Sequence, residues 1–231
     1  MNREEITDLF DQQATIYDDN WQKVKPIKDA MHLVLQAAFR DLPDDARILC
    51  VGSGTGQEVV YLAQAFPSFQ FTLVEPAPTM MQVCRANLTR LGYASRCEFH
   101  VGYLENLSHT PIHHAATSLL VSHFLMDPAA RSEFFREIAA RLLPGGILFN
   151  ADLMADTESA DYPAVLNLWM SVLHQTGMDA AKKQEIRETY ERDVAILPAH
   201  KVVSLIEAGG FNRALACYQA GMITAHTAFK S

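Results

Sequence analysis

The sequence predicts an α/β protein on a doubly wound, mostly parallel sheet that ends in an antiparallel hairpin. Three observations carry that prediction. Five short apolar runs lie between residues 47 and 152, amphipathic segments with helix start and stop signals separate them, and two strand-like runs flank Ala220-Gly221 near the end. Near-continuous apolarity, rather than alternation, suits strands buried on both faces of a parallel sheet. Strand–helix–strand repetition then demands right-handed crossovers.

Residues 1–45 read as helical, with Ile27, Met31, Val34, Leu35 and Ala38 forming a stripe. The predicted strands are RILCVG (47–52), FQFTLVE (69–75), CEFHVG (97–102), ATSLLVS (116–122) and GILFNAD (146–152). Thr79 is the expected cap of a helix whose positions Met80, Met81, Cys84, Leu88 and Leu91 recur at helical spacing and which stops at Gly92. Asp127 before Pro128 predicts another N-cap with proline in the first turn. Phe134, Phe135, Ile138 and Leu142 line that helix, and Pro144-Gly145-Gly146 is its expected stop. A helical insertion over 157–208 presents Val165, Leu166, Trp169, Val172 and Leu173 on one face, which could seal a lid or a homodimer interface. RALACYQ and MITAHTAFK supply the hairpin and bring the strands to seven. The expected organisation is one domain over 1–231: an N-terminal helical lid (1–45), a core (46–156), a helical cap (157–208) and C-terminal strands (209–231).

The chain has 231 residues, 49% hydrophobic and 20% charged, with net charge −8. An acidic balance disfavours direct nucleic-acid binding, since phosphate neutralisation needs a basic surface. Lys23, Lys25 and Lys28 form a small basic run that reads as a solvated helix face. Cys50, Cys84, Cys97 and Cys217 show no metal-ligand spacing and read as small apolar residues in a reducing compartment. MNREEITDLFDQQ lacks the apolar core of a secretion signal, and no apolar run approaches a membrane span. The expected location is cytoplasmic, without membrane contact. The histidines other than His123, His113-His114 included, read as surface loop residues, and no metal site is expected.

The motif that carries function is Gly52-Ser53-Gly54-Thr55-Gly56, directly after the first strand. Ligands of doubly wound sheets bind at the strands' carboxyl ends. A dinucleotide fingerprint has G-x-G-x-x-G spacing. Here the third glycine comes one residue early and Gln57 occupies the expected place, which disfavours a nicotinamide oxidoreductase. No Gly-Lys-Ser/Thr follows, so a P-loop is excluded as well. Glu75, closing the second strand, can accept hydrogen bonds from both hydroxyls of a ribose.

VGSGTG with LVEPAPTMM, followed in order by LLPGGIL at 142–148, resembles the class I S-adenosylmethionine-dependent methyltransferases. The resemblance covers about 47–152 and extends to the terminal hairpin. It implies a seven-stranded Rossmann-like sheet, S-adenosyl-L-methionine as cofactor and methyl transfer to a small molecule. By position, Gly52, Ser53, Gly54, Thr55 and Gly56 would lie along the cofactor and Glu75 would hold its ribose. Pro76 would pack on adenine, with Met80 nearby, although methionine at helical spacing also reads as core. The family's usual aspartate after the third strand is replaced by Gly102-Tyr103, leaving backbone carbonyls or Glu105 for the adenine amino group. Ser122 and His123 would sit near the sulfonium, with His123 the candidate general base. In the expected lid segment FDQQATIYDD, Tyr17 is the candidate contact. The stretch 187–211 is similar in layout to carboxy-S-adenosylmethionine synthases. That similarity implies an alternative enzyme modifying the cofactor itself for tRNA modification, with Arg187 reading the added carboxylate. A non-catalytic S-adenosylmethionine-binding domain is the third reading.

Overall fold

The computed structural model describes residues 2–110, 112–173 and 180–231. Its strands are β1 (Arg47–Val51), β2 (Gln70–Glu75), β3 (Cys97–Val101), β4 (His113–Leu119), β5 (Leu142–Leu153), β6 (Phe211–Ala220) and β7 (Ile223–Lys230). They form one seven-stranded sheet in the order β3-β2-β1-β4-β5-β7-β6. Strands β1 to β5 pair in parallel, whereas β7 runs antiparallel to both β5 and β6.

The apolar runs have a simple origin. Along β1, Ile48 and Cys50 enter one buried cluster while Leu49 and Val51 enter another. The period of two is hidden because both faces of the strand are covered. Helices α3 (Lys25–Ala38), α4 (Gln57–Ala65), α5 (Pro78–Arg90) and α7 (Tyr162–Leu173) supply the first cluster. Helices α6 (Pro128–Arg141) and α9 (Ala199–Ala208) supply the second. Two N-terminal helices, α1 (Arg3–Gln13) and α2 (Tyr17–Trp21), and α8 (Ala180–Asp193) complete the described α-helices. Among the described residues, no helix is long and apolar enough to cross a membrane.

Local signals placed most elements, and four details differ. Helix α5 begins at Pro78 after Ala77, so Thr79 is inside the first turn and not its cap. A cap from another element replaces it, because Thr79 N–H and Oγ1 donate to the Asp11 carboxylate of α1 at 2.6 and 2.9 Å. Helix α6 stops at Arg141, and β5 runs through Pro144-Gly145-Gly146. The register shift between His113↔Leu142 and Ala115↔Ile147 absorbs that triplet, which cannot continue a regular ladder. His113 and His114 open β4 instead of lying in a loop. His113 is buried with its ring nitrogens 3.0 Å from Arg141 O and from Thr72 Oγ1, and His114 Nδ1 accepts from Arg47 N. Lys28, finally, is not a solvated charge: its ammonium lies 5.9 and 5.8 Å from the ring centroids of Tyr17 and Trp21.

The order of the strands reverses between β1 and β4. From β1 the chain moves outward to β2 and β3, then returns to β4 on the other side of β1. The loops after these two neighbours therefore diverge and leave a crevice over their carboxyl ends.

Candidate functional site

Gly52, Gly54 and Gly56 all have left-handed backbones, with φ of +72°, +52° and +82°. They serve different ends. A Cβ on Gly52 would meet Val121 Cγ2 at 2.4 Å, and one on Gly56 would meet Cys84 Sγ at 2.8 Å. A Cβ on Gly54 would meet nothing within 4 Å, so Gly54 alone of the three faces open space. Gly56 is the N-cap of α4, and Gly52 N–H donates to Val74 O at 2.8 Å, tying the loop to β2.

Glu75 ends β2 beside this loop and is only 6% exposed. Its two oxygens accept from Gly54 N–H at 3.0 Å and Ala77 N–H at 3.1 Å. Burial pushes its carboxyl above the ordinary range, and those two amides pull it back. A carboxylate offers about four acceptor positions, so roughly two remain for a ligand's hydroxyls.

A cavity of about 310 Å³ opens over these groups. Gly52, Gly54, Glu75, Pro76, Met80, Gly102, Tyr103 and Tyr17 all line it, as does Glu105, which pairs with Arg3 at 2.6 Å. Its inner wall is apolar: Phe10, Leu119, Leu120, Val121 and Phe124. Phe10 and Phe124 meet edge to face at 5.5 Å. Leu120 is a non-glycine residue at φ +61°, held there by its N–H donating to Ala151 O at 2.7 Å. Such a backbone costs about 1–2 kcal/mol, and it turns the loop after β4 across the cavity.

The remaining predicted residues lie elsewhere. Ser53 and Thr55 line a smaller recess of about 50 Å³ beside the loop, and Gly56 packs on Cys84. His123 is 3% exposed and does not line the cavity. Its Nδ1 lies 3.1 Å from Asp152 Oδ1, and Ser122 Oγ donates to Asp152 Oδ2 at 2.5 Å. Arg131, His123 N–H and Asn150 complete the ring of donors around that carboxylate. Burial alone would raise Asp152, but Arg131 first, then His123 and Ser122, hold it far below the usual carboxylate range. Arg131 also donates to Ala195 O at 3.0 Å, so this network binds the loop after β4 to the end of the insertion. Trp169 is fully buried against Gly221, and its indole N–H donates to Tyr190. Arg187 donates to Asn167 Oδ1 at 2.8 Å and does not line the cavity.

A methyltransferase-domain family profile matches residues 48–146, the stretch that holds the glycine loop and Glu75. Over that stretch the chain is similar to the methyltransferase-domain family. It is 28% identical over 151 residues to an arsenite methyltransferase of Aquipseudomonas alcaligenes, covering 60% of this chain and 43% of that one. It is 34% identical over 90 residues to a malonyl-[acyl-carrier protein] O-methyltransferase of Geobacter sulfurreducens, covering 39% and 33%. The chain thus spans less than half the length of these relatives. The mitomycin 7-O-methyltransferase structure superposes with a TM-score of 0.63 at 22% identity, over 87% of this chain and 53% of that one, a likeness of fold.

The residues present suit this methyltransferase family's cofactor, S-adenosylmethionine. The open side of Gly54 and the spare acceptor positions of Glu75 are what an adenosine sulfonium compound requires. Sequence reasoning missed Glu58 and read Lys28 and His32 as surface groups, and all three line the smaller recess. Glu58, two residues beyond Gly56, was the visible signal. Burial pushes its carboxyl up to about 7, against a hydrogen bond from Thr117 and the charge of Lys28. Burial beside Lys28 lowers His32 to about 4.

Proposed function

We propose that this protein is an S-adenosylmethionine-dependent methyltransferase acting on a small organic acceptor, with the cofactor held over Gly52–Gly54 and Glu75. The observation that carries the reading is the Glu75–Gly54 hydrogen bond beside a glycine whose missing side chain faces an open cavity. When bound, the cofactor supplies a methyl group already activated on a sulfonium. The chain's own contribution is then alignment and exclusion of water, which can account for much of the rate.

The cavity wall supports an acceptor that needs no strong base. Phe10, Leu119, Leu120, Val121 and Phe124 carry no titratable group. Apart from Glu75, the carboxylates that line the cavity are paired, Glu105 with Arg3, Glu133 with Arg136 and Glu137 with Arg141. Burial first and then the nearby Glu75 and Glu58 charges push the Tyr17 phenol upward, which disfavours the phenolate. His123 is committed to Asp152. An acceptor with an apolar body and a nucleophile that ionises readily by itself, such as a phenol, an amine or a carbon acid, suits this wall. Arsenite is less suited, because a thiophilic metalloid calls for thiolates and none of Cys50, Cys84, Cys97 or Cys217 lines the cavity. Helices α1 and α2 are positioned to act as a lid, with Tyr17 and Phe10 turned into the cavity.

Native mass spectrometry of the purified protein, with and without added S-adenosylmethionine, tests the reading. Retained cofactor or its demethylated product supports it, and a panel of phenols, amines and carbon acids scored by S-adenosylhomocysteine release then finds the acceptor. A protein that stays empty with excess cofactor overturns it. A bound species heavier by one CO₂ overturns it in favour of the carboxylating enzyme.

A further inference from the structure

Beside the main cavity lies another of similar size, about 320 Å³, between the N-terminal helices and the core. Trp21 of α2 and Lys25, Lys28 and Asp29 of α3 form one wall. Gln57, Tyr61 and Gln64 of α4 with Asn87 and Arg90 of α5 form the other. This outer cavity adjoins the small recess beside the glycine loop, and Trp21, Lys28 and Gln57 border both. Lys25, Tyr61, Gln64 and Arg90 border neither the recess nor the main cavity.

In a chain of net charge −8, a cationic cavity calls for a reason. Lys25, Lys28 and Arg90 line it against two carboxylates, Asp18 and Asp29, and both carboxylates are engaged. Asp18 accepts from Thr55 Oγ1 at 2.7 Å and Gln57 Nε2 at 2.6 Å, and Asp29 accepts from Lys25 Nζ at 2.5 Å. Arg90 and Lys28 make no hydrogen bond or ion pair among the described residues. The Lys25–Asp29 pair is more than half exposed on both sides, so it holds its ammonium weakly and leaves it able to turn to a ligand. Like charges brought to one space from two helices repel, and an anion between them turns that repulsion into attraction.

The same space has an aromatic side. Trp21 and Tyr61 both border it. Tyr61 is fixed from two directions, by the His32 ring at 5.3 Å and by its hydroxyl donating to Gln36 Oε1 at 3.1 Å.

We propose that the outer cavity is a second ligand site, for a phosphate monoester on a planar ring, with the phosphate between Arg90 and Lys25 and the ring against Trp21 and Tyr61. A phosphate monoester carries about two negative charges at pH 8, which suits a space with more cations than free carboxylates. Such a ligand touches α2 and α3 on one side and α4 and α5 on the other. Its binding therefore holds α2 against the core and steadies the cover of the main cavity. The site goes beyond methyl transfer and does not depend on what the main cavity holds.

Isothermal titration calorimetry at pH 8 makes the test, with phenyl phosphate as the probe and benzyl alcohol as its uncharged counterpart. Each is titrated with and without saturating S-adenosylhomocysteine. Phenyl phosphate is expected to bind saturably in both conditions, and benzyl alcohol much more weakly. Arg90→Met and Lys25→Met are each expected to weaken phenyl phosphate about tenfold, the scale of one charge-assisted hydrogen bond, and to leave S-adenosylhomocysteine unchanged. Both side chains are exposed, so the fold tolerates either change. Saturating phenyl phosphate is also expected to slow chymotryptic cleavage at Tyr17 and Trp21. Absent binding, equal binding of benzyl alcohol, or displacement by S-adenosylhomocysteine would overturn the site, as would unchanged affinity in either variant. Cleavage that phenyl phosphate does not slow would overturn its hold on α2. Protein that binds phenyl phosphate but not S-adenosylhomocysteine leaves this site standing and overturns the cofactor assignment instead.

Discussion

The Asp11 carboxylate accepts both the backbone N–H and the hydroxyl of Thr79, 68 residues further along the chain. A side chain of α1 thereby caps α5, whose own N-cap residue, Ala77, has no side-chain acceptor. Asp18 makes the second such link, accepting from Thr55 Oγ1 at 2.7 Å and Gln57 Nε2 at 2.6 Å. The N-terminal helices are thus held over the site largely by polar contacts to two helix starts, and none of their residues is fully buried.

Loss of the first link is expected to loosen that cover. Asp11→Ala should cost about 1 kcal/mol, as for other N-caps, and expose Phe10 and Tyr17 to chymotrypsin at rates that leave the core intact. Unchanged cleavage kinetics would mean that apolar contacts of Phe10 and Tyr17 hold the helices without Asp11.

Two glycine variants should separate folding from binding. Gly54→Ala meets no neighbour and incurs only the left-handed backbone penalty of about 1 kcal/mol. It should stay folded, within about 2–4 °C of wild type, and lose S-adenosylhomocysteine binding. Gly52→Ala must also displace Val121 and should melt lower than Gly54→Ala. The reverse order in a thermal melt would contradict the assigned roles.

Glu75→Ala should weaken binding of adenosyl compounds by about 1.5–3 kcal/mol, the loss typical of hydrogen bonds to a charged acceptor. Calorimetry on folded protein reads this directly, and an unaltered Kd would move the ribose elsewhere.

Glu58 makes the empty protein pH-sensitive in a defined direction. Its folded carboxyl sits near 7, above the ordinary carboxylate value, so the folded state binds the extra proton. That stabilisation is complete below about pH 4 and is lost as the pH rises through 7. Glu58→Gln should therefore melt above wild type at pH 8, by up to about 3 kcal/mol of stability, and match it near pH 4. A variant no more stable at pH 8 would show that Glu58 is not strained when ionised.

Asp152 behaves in the opposite sense. Its carboxyl is held well below the ordinary range, so its contribution is present at neutral pH and lost only in strong acid, as the pH falls through that low value. Arg131→Met should leave a buried, uncompensated carboxylate and cost about 3–5 kcal/mol in urea unfolding at pH 7. A loss under about 1 kcal/mol would mean that Ser122, His123 and Asn150 suffice.

The glycine loop, Glu75 at the end of β2, and the starts of β1, β3 and α6 were legible because their signals are contiguous. An apolar run followed by three alternate glycines dictates a strand and a tight turn whatever else the chain does. Thr79 misled because a helix start can borrow an acceptor from any neighbour, and sequence shows only the local candidates. His123 looked available because a histidine after a strand carries no mark of its partner. The partner is Asp152, a residue on the adjacent strand. Trp169 fell on a strong apolar face, and only the position of the β6–β7 turn beneath it made it core, not lid.

What the sequence determined by itself is the doubly wound sheet and a tight glycine loop at the end of its first strand, since both follow from backbone sterics and from apolar burial along a few adjacent residues. The tertiary structure decided which side chains share a space: Asp11 with Thr79, Asp18 with Thr55, Lys28 with Glu58. Those pairings span tens of residues. They depend on sheet order and helix placement, which bring distant positions within hydrogen-bond or Coulomb reach only after the chain has folded.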